Sequence, residues 1–165
     1  MTDISFRPFD RRDVPALTAI YRPYVTDTVI TFELEPPDEA EMGERFGRMV
    51  ELGQPVIVAE RAGAAVGYAY ASFYRPRAAY RFTCEDSIYL RHDMVGQGLG
   101  SRLLAELLEQ SRAHGFRQMI AVITAERQNS VRLHEKAGFR HVGRYEAVGY
   151  KFDRWLDIVH MQKAL

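Results

Sequence analysis

Between Ser87 and Gln110 the chain reads SIYLRHDMVGQGLGSRLLAELLEQ, a strand followed by a glycine loop and then a helix. Ile88, Tyr89 and Leu90 end a run of strand formers, and Gly96, Gly98 and Gly100 then strip side chains from a tight turn. From Leu99 the apolar positions Leu103, Leu104, Leu107 and Leu108 recur at helical spacing. A helix N-terminus therefore sits on a loop with almost no side chains. Its first N–H groups lack intrahelical partners and the dipole adds roughly half a positive charge, so the natural ligand is a phosphate. The same glycines also suffice for a plain short turn, and that reading stays open. The G-x-G-x-G spacing, with Gln97 and Leu99 between the glycines and Ser101 after them, matches neither a P-loop nor the G-x-G-x-x-G dinucleotide fingerprint. It points to a phosphate-bearing cofactor other than a bare nucleoside triphosphate or NAD.

A chain of 165 residues makes one domain, residues 1–165, burying about 70% of the surface its unfolded form exposes. Lysine plus arginine and aspartate plus glutamate number 22 each, so no global charge draws it to nucleic acid or an anionic membrane. Charge must act locally. The lone cysteine, Cys84, excludes an intrachain disulfide and a cysteine-rich metal site; it reads as a small buried strand residue, and no metal is expected. The opening MTDISFRPFD lacks the regions of a secretion signal, and no apolar run reaches the ~18 residues of a membrane span. The expectation is a soluble cytoplasmic protein.

Local signals supply the other elements. Ile4–Phe9 alternates as a half-buried strand. Asp13 before Val14-Pro15 starts a helix striped by Val14, Leu17, Ile20, Tyr21 and Tyr24, which Pro23 should end or bend early. Val25–Pro37 closes on a Pro-Pro break and reads as a long irregular connector, with Phe32 and Glu33 suited to a binding wall. Asp38 caps a second helix to about Leu52 that turns Met42, Phe46, Met49 and Val50 to the core and stops at Gly53. Pro55–Arg61 and Ala65–Phe73 form a hairpin about Ala62-Gly63-Ala64. A basic, aromatic loop, Tyr74–Tyr80, leads into the strand Arg81–Leu90. After Gly115 come a strand at Met119–Ile123, a short helix that Asn129 can cap and Gly138 ends, and closing strands at Phe139–Ala147 and Leu156–Met161.

With the glycine loop, Asn129 and LHEKAGF at 133–139 in place, the sequence resembles the acetyl-CoA-dependent N-acetyltransferases of the GNAT superfamily. Within it the chain is most similar to the phosphinothricin and methionine sulfoximine acetyltransferase group, through RAAYRFTCEDSIYL, NSVRLHEKAGFRHVG and GYKFDRWLDIVHMQ. The resemblance implies an α/β (α+β) GNAT fold: a mixed, strongly twisted sheet of about seven strands flanked by helices, its fourth and fifth strands splayed to admit a pantetheine arm. It implies acetyl-CoA as co-substrate, a small amino-acid-like acceptor and a homodimer. By the same resemblance Ile88, Tyr89 and Leu90 pair their backbone with the pantetheine amides, and Gly96, Gln97, Gly98, Leu99, Gly100 and Ser101 bind the pyrophosphate through backbone N–H groups. The family commonly has glutamine or arginine where this chain has Val95, which removes a side-chain donor and leaves the amide cradle. Asn129 is expected to touch the pantetheine or thiol end, to cap its helix, or both.

Attack on a thioester needs a neutral amine, and an α-amine is mostly protonated at neutral pH, so a base is required. Glu85, at a position where the group uses a glutamate, is the candidate. His134 stands where most of the superfamily has tyrosine, and it is either an acid or base for the leaving sulfur and the amine or a cofactor contact. Arg75 and Arg77 flank Pro76 on the aromatic loop and offer guanidinium forks for a carboxylate or phosphinate, unless they are simply solvated. Phe32, Glu33, Tyr80, Glu85, Asp86 and Ser87 would complete an acceptor pocket, and Trp155 reads as core or dimer packing. The alternatives are acetylation of another amine (a peptide N-terminus, a polyamine or an antibiotic) and a non-catalytic CoA-binding domain.

Overall fold

The computed structural model describes residues 4–165. Seven strands form one sheet in the order β1-β2-β3-β4-β5-β7-β6, where β1 is Ile4–Pro8, β2 Val56–Arg61, β3 Ala64–Phe73, β4 Thr83–Leu90, β5 Gln118–Thr124, β6 Arg140–Lys151 and β7 Arg154–Ala164. All neighbours are antiparallel except β4 and β5. Strand alternation gives the sheet two apolar faces, each with its own helices. On one face α3 (Leu99–His114) lays Leu103, Leu104 and Leu107 over Ala69, Cys84, Met119 and Met161, and Val131 of α4 (Gln128–Lys136) joins that core. On the other face α1 (Val14–Asp27) and α2 (Glu39–Glu51) pack Leu17, Tyr21 and Phe46 against Val58 and Tyr68.

Caps and turns agree with local chemistry. Asp38 accepts from the Glu41 N–H at 2.9 Å to start α2, and the two-residue turn Ala62-Gly63 runs through positive φ at both positions, as a tight hairpin requires. Five details differ from the sequence expectations. Helix α1 runs through Pro23 to Asp27, because its last turn is anchored by buried Val25 and by the Tyr24 hydroxyl bonded to Leu90. Val50 is exposed at the end of α2. Asn129 lies inside α4 and does not cap it; its Oδ1 accepts from Arg132 Nη2 at 2.6 Å. The closing strands are longer than expected, with Val142 and residues 146–148 left unpaired at two irregularities of the β6–β7 ladder, and Trp155 there is exposed rather than core.

Candidate active site

The site grows from a fork in the sheet. β4 and β5 pair only over Thr83–Glu85 and Gln118–Ile120, while β4 stays paired with β3 as far as Leu90. Beyond Glu85, therefore, the β5-facing edge of β4 is open. Arg91 N–H bonds the Val66 carbonyl on β3, so by alternation Tyr89 also points its backbone to β3, and Ile88 and Leu90 point theirs to the open edge. Tyr89 thus serves the ladder, and its ring packs edge-on against Tyr21 and Tyr24, which departs from the expectation that its backbone is free for a ligand. Leu90 is occupied as well: the Tyr24 hydroxyl donates to its carbonyl at 2.7 Å and accepts from its amide at 3.1 Å. Ile88 is left as the open backbone position, and Tyr24, which reads in the sequence only as part of an apolar stripe, guards the next one.

At the end of β4 the glycine loop turns into α3. Gly96 and Gly98 have φ of +82° and +80°, which glycine adopts without the steric cost other residues meet. Space is open beside both. The first intrahelical bond runs from Arg102 N–H to Gly98 O, so the Leu99, Gly100 and Ser101 amides precede it, and among the described residues no side chain caps the helix. Leu99 is buried in the core and offers only its amide. Gln97 turns its side chain back to the Asp93 carbonyl at 2.6 Å, so it too contributes backbone alone. Gly100 lies inside the helix at ordinary contact distance from Leu90 and Leu133, and its small size serves helix packing. The result is an open loop of main-chain N–H groups at a helix start, chemistry that suits a phosphate.

The fork gathers ionisable side chains. Glu85 occupies the last paired rung, opposite Ile120 on β5. Burial and then the Asp86 charge push its carboxyl above the ordinary value, against the pull of Arg75. Asp86 sits on the opposite face of β4, so it does not share a wall with Glu85 and Ser87 as the sequence suggested. Its Oδ2 is 2.9 Å from His134 Nε2, and both side chains are almost wholly buried. His134 Nδ1 is 2.8 Å from the Ser130 carbonyl. Both ring nitrogens therefore face acceptors. Burial alone would depress the imidazole, but the Asp86 charge and these hydrogen bonds raise it overall, which favours an imidazolium donating twice. Asn129 is exposed one turn earlier on α4.

The α1–α2 face of the fork is roofed by the connector. Thr124 Oγ1 of β5 donates to the Val29 carbonyl at 2.5 Å, and Lys151 Nζ of β6 donates to the Thr31 carbonyl at 2.9 Å. Phe32 lies against Gly149 of β6. Glu33 is held by Arg45 of α2, Nη1 to Oε1 at 2.5 Å, so it positions the connector and is not free for an ammonium. Arg45, which also binds Glu41, carries no local signal in the sequence of this role. Arg75 is exposed with its guanidinium over the Tyr74 ring at 4.8 Å, and its charge reaches both Glu85 and His160. Pro76, Arg77 and Tyr80 are exposed on the same loop, and Tyr80 packs edge-on against Tyr74. Ser87 pairs with Tyr70 of β3, which lies on this face.

An amide cradle at a helix start, a strand edge opened by a splay, and a raised carboxyl at the fork match a known family. The model of the acetyltransferase (GNAT) family covers residues 16–139. The chain belongs to the GNAT family. Among relatives of this GNAT protein, the phosphinothricin N-acetyltransferase of Alcaligenes faecalis is 46% identical over 93% of this chain and 78% of its own length. The L-methionine sulfoximine/L-methionine sulfone acetyltransferase of Pseudomonas paraeruginosa is 38% identical over 96% of this chain and 92% of its own. A phosphinothricin acetyltransferase from Sinorhizobium meliloti, solved in complex with acetyl-CoA, superposes with a TM-score of 0.96 at 46% identity, covering 100% of this chain and 89% of that one. The seven-stranded sheet with its single parallel pair at β4–β5 is the GNAT fold.

Proposed function

We propose that this enzyme transfers the acetyl group of acetyl-CoA to the α-amine of a small amino acid or analogue, of the phosphinothricin, methionine sulfoximine or methionine sulfone type. The observation that carries the reading is Glu85, a half-buried carboxyl raised in pKa at the point where the open β4 edge meets the Arg75 side of the sheet. The residues fit the donor: Leu99, Gly100 and Ser101 amides for the diphosphate, and the Ile88 backbone for an amide of the arm. Acetyl-CoA supplies a thioester carbonyl already activated for attack.

Glu85 takes a proton from the acceptor ammonium, directly or through a water, and leaves a nitrogen lone pair aimed at the carbonyl. A carboxyl raised toward neutrality is a better base for this than an ordinary surface glutamate. The N–C bond forms and the C–S bond breaks; the sulfur leaves as a thiolate of pKa ~8.5, which needs little help, and it or water takes the second proton that the nitrogen sheds on becoming an amide. His134 spends both nitrogens on Ser130 and Asp86, so its role is to place a positive charge under the fork. Arg75 holds the acceptor's acid group.

The test is a panel of amines with acetyl-CoA and thiol detection. Release on phosphinothricin, methionine sulfoximine or methionine sulfone is expected. Turnover confined to polyamines or peptides would overturn the acceptor class, and no release on any amine would overturn catalysis itself.

We also infer a homodimer formed through the β6 side of the sheet. β6 is an edge strand exposed on both faces over most of its length, and Tyr145, Val148, Tyr150, Phe152 and Trp155 present an aromatic strip there. Sedimentation should give twice the chain mass, falling to one chain mass in Trp155→Asp. The compartment we assign is the cytoplasm, where a free thiol such as Cys84 persists.

A further inference from the structure

His160 is a chain-interior imidazole to which the sequence reading gave no role of its own. It lies on β7 opposite Val122 of β5 and Gly143 of β6. Its neighbours Val159 and Met161 join the α3 core, so by alternation His160 faces the other way, under the connector and toward the face that carries Glu85. Its ring packs on Tyr145 of β6 at 4.7 Å between centroids. The residue is 9% exposed. Its Nδ1 is shut off from solvent and has no hydrogen-bond partner among the described residues.

That orphan nitrogen fixes the tautomer. A buried N–H with no acceptor costs the full desolvation of a donor, and a buried imidazolium costs more, whereas a bare lone pair costs least. Burial and the neighbouring Arg75 charge both hold the ring below its ordinary pKa, and therefore neutral. The single proton belongs on Nε2, which makes no hydrogen bond within the described residues. A neutral ring with one unspent donor, in the field of Arg75, which carries no ion pair among the described residues, suits an oxygen that is already anionic. A cation such as a polyamine would find the Arg75 charge repelling and the ring's one lone pair buried.

We propose that His160 is a specificity residue of the acceptor site, donating Nε2–H to an acid oxygen of the acceptor, carboxylate or phosphinate, beside Arg75. The inference rests on the acceptor face assigned above, and names the residue that reads the acid group on it. Polar residues that present hydrogen bonds to a substrate discriminate strongly because the analogue lacking the group leaves them unpaired.

The test uses His160→Phe, which keeps the ring's bulk, and His160→Gln, which keeps a donor. For phosphinothricin and methionine sulfone, His160→Phe should raise the acceptor KM at least about tenfold, the scale of one hydrogen bond to a charged group. Saturated turnover and the acetyl-CoA KM should stay near parental values, and His160→Gln should recover most of the loss. In parallel, long-range proton–nitrogen spectra of the CoA-bound parent follow the His160 ring, assigned by its absence in His160→Phe. Added phosphinothricin should move its Nε2 signal while Nδ1 stays unprotonated. An acceptor KM unchanged in His160→Phe together with a static imidazole signal would overturn the assignment. An imidazole that responds to phosphinothricin in a protein that acetylates only other amines would overturn the activity reading and leave the His160 contact standing.

Discussion

Phe32 of the connector fills the place where a side chain on Gly149 would be: a β-carbon there would overlap Phe32 Cε2. The glycine is required by this approach, since its φ is not among the positive ones. Gly149→Ala should push Phe32 and the connector off β6, with the Lys151 bond to the Thr31 carbonyl and the Thr124 bond to the Val29 carbonyl resisting on either side. Overpacking of this kind costs about 1–3 kcal/mol. The expected outcome is a lowered Tm together with a raised acceptor KM and an unchanged acetyl-CoA KM. A parental acceptor KM would show that Phe32 is not a wall of that site.

Gly98 tests the cradle. Its φ of +80° is costly for any β-branched residue, and the space next to it is open. In Gly98→Val the backbone strain is about 1–3 kcal/mol, and the new side chain takes the volume a phosphate needs. Calorimetric titration should show acetyl-CoA binding weakened by at least about tenfold, an added cost of roughly 1.4 kcal/mol, in a protein that still melts cooperatively. Gly100→Ala is the contrast. That glycine is helical with its nearest neighbours at 3.8 Å, so affinity should change little.

The sequence made the cradle legible because its signal is local: glycines at fixed offsets between a strand and an apolar helix stripe. The Asp38 cap and the Ala62-Gly63 turn were legible for the same reason. What stayed hidden depends on which strands meet. Glu85 and Asp86 are adjacent letters, and only the pleat separates them onto opposite faces, where one is a candidate base and the other a partner for His134. Tyr24 reads as one more apolar position until β4 is found splayed from β5 with the Leu90 backbone open to its hydroxyl. Pro23 misled for a comparable reason: helix-ending propensity lost to the tertiary anchors Tyr24 and Val25. His160 sits among strand residues, and nothing local separates it from its apolar neighbours.

The Asp86–His134 pair makes a stability prediction with a definite sign. His134 is raised in the fold, so its contribution is complete below the unfolded imidazole value of ~6.5 and is lost as pH rises through the folded value. Asp86→Asn removes the charge that holds the proton, and breaking a buried pair costs about 3–5 kcal/mol. Denaturant unfolding at pH about 6 and about 9 should show the larger difference between parent and Asp86→Asn at the lower pH. Because Asp86 faces away from the proposed acceptor face, the phosphinothricin KM of this variant should stay near parental. A large rise in that KM, with unchanged stability, would return Asp86 to the acceptor pocket.

Glu85→Gln separates base chemistry from binding. The amide keeps the shape of the side chain at the fork and cannot take the ammonium proton, and loss of a general base typically costs on the order of a hundredfold or more in turnover. Acetyl-CoA affinity should be unaffected, since the cradle and the Ile88 backbone are untouched. The pH profile carries the sharper signature. A carboxyl raised by burial and by Asp86 must be ionised to act, so the parental kcat/KM should fall on the acid side at a pH above the ordinary glutamate value of ~4.3. Glu85→Gln should lose that limb and instead gain rate steadily toward high pH, where the acceptor amine is neutral without assistance. Parental turnover at neutral pH with the acid limb intact would remove Glu85 from the reaction, and the limb would then have to come from another group at the fork.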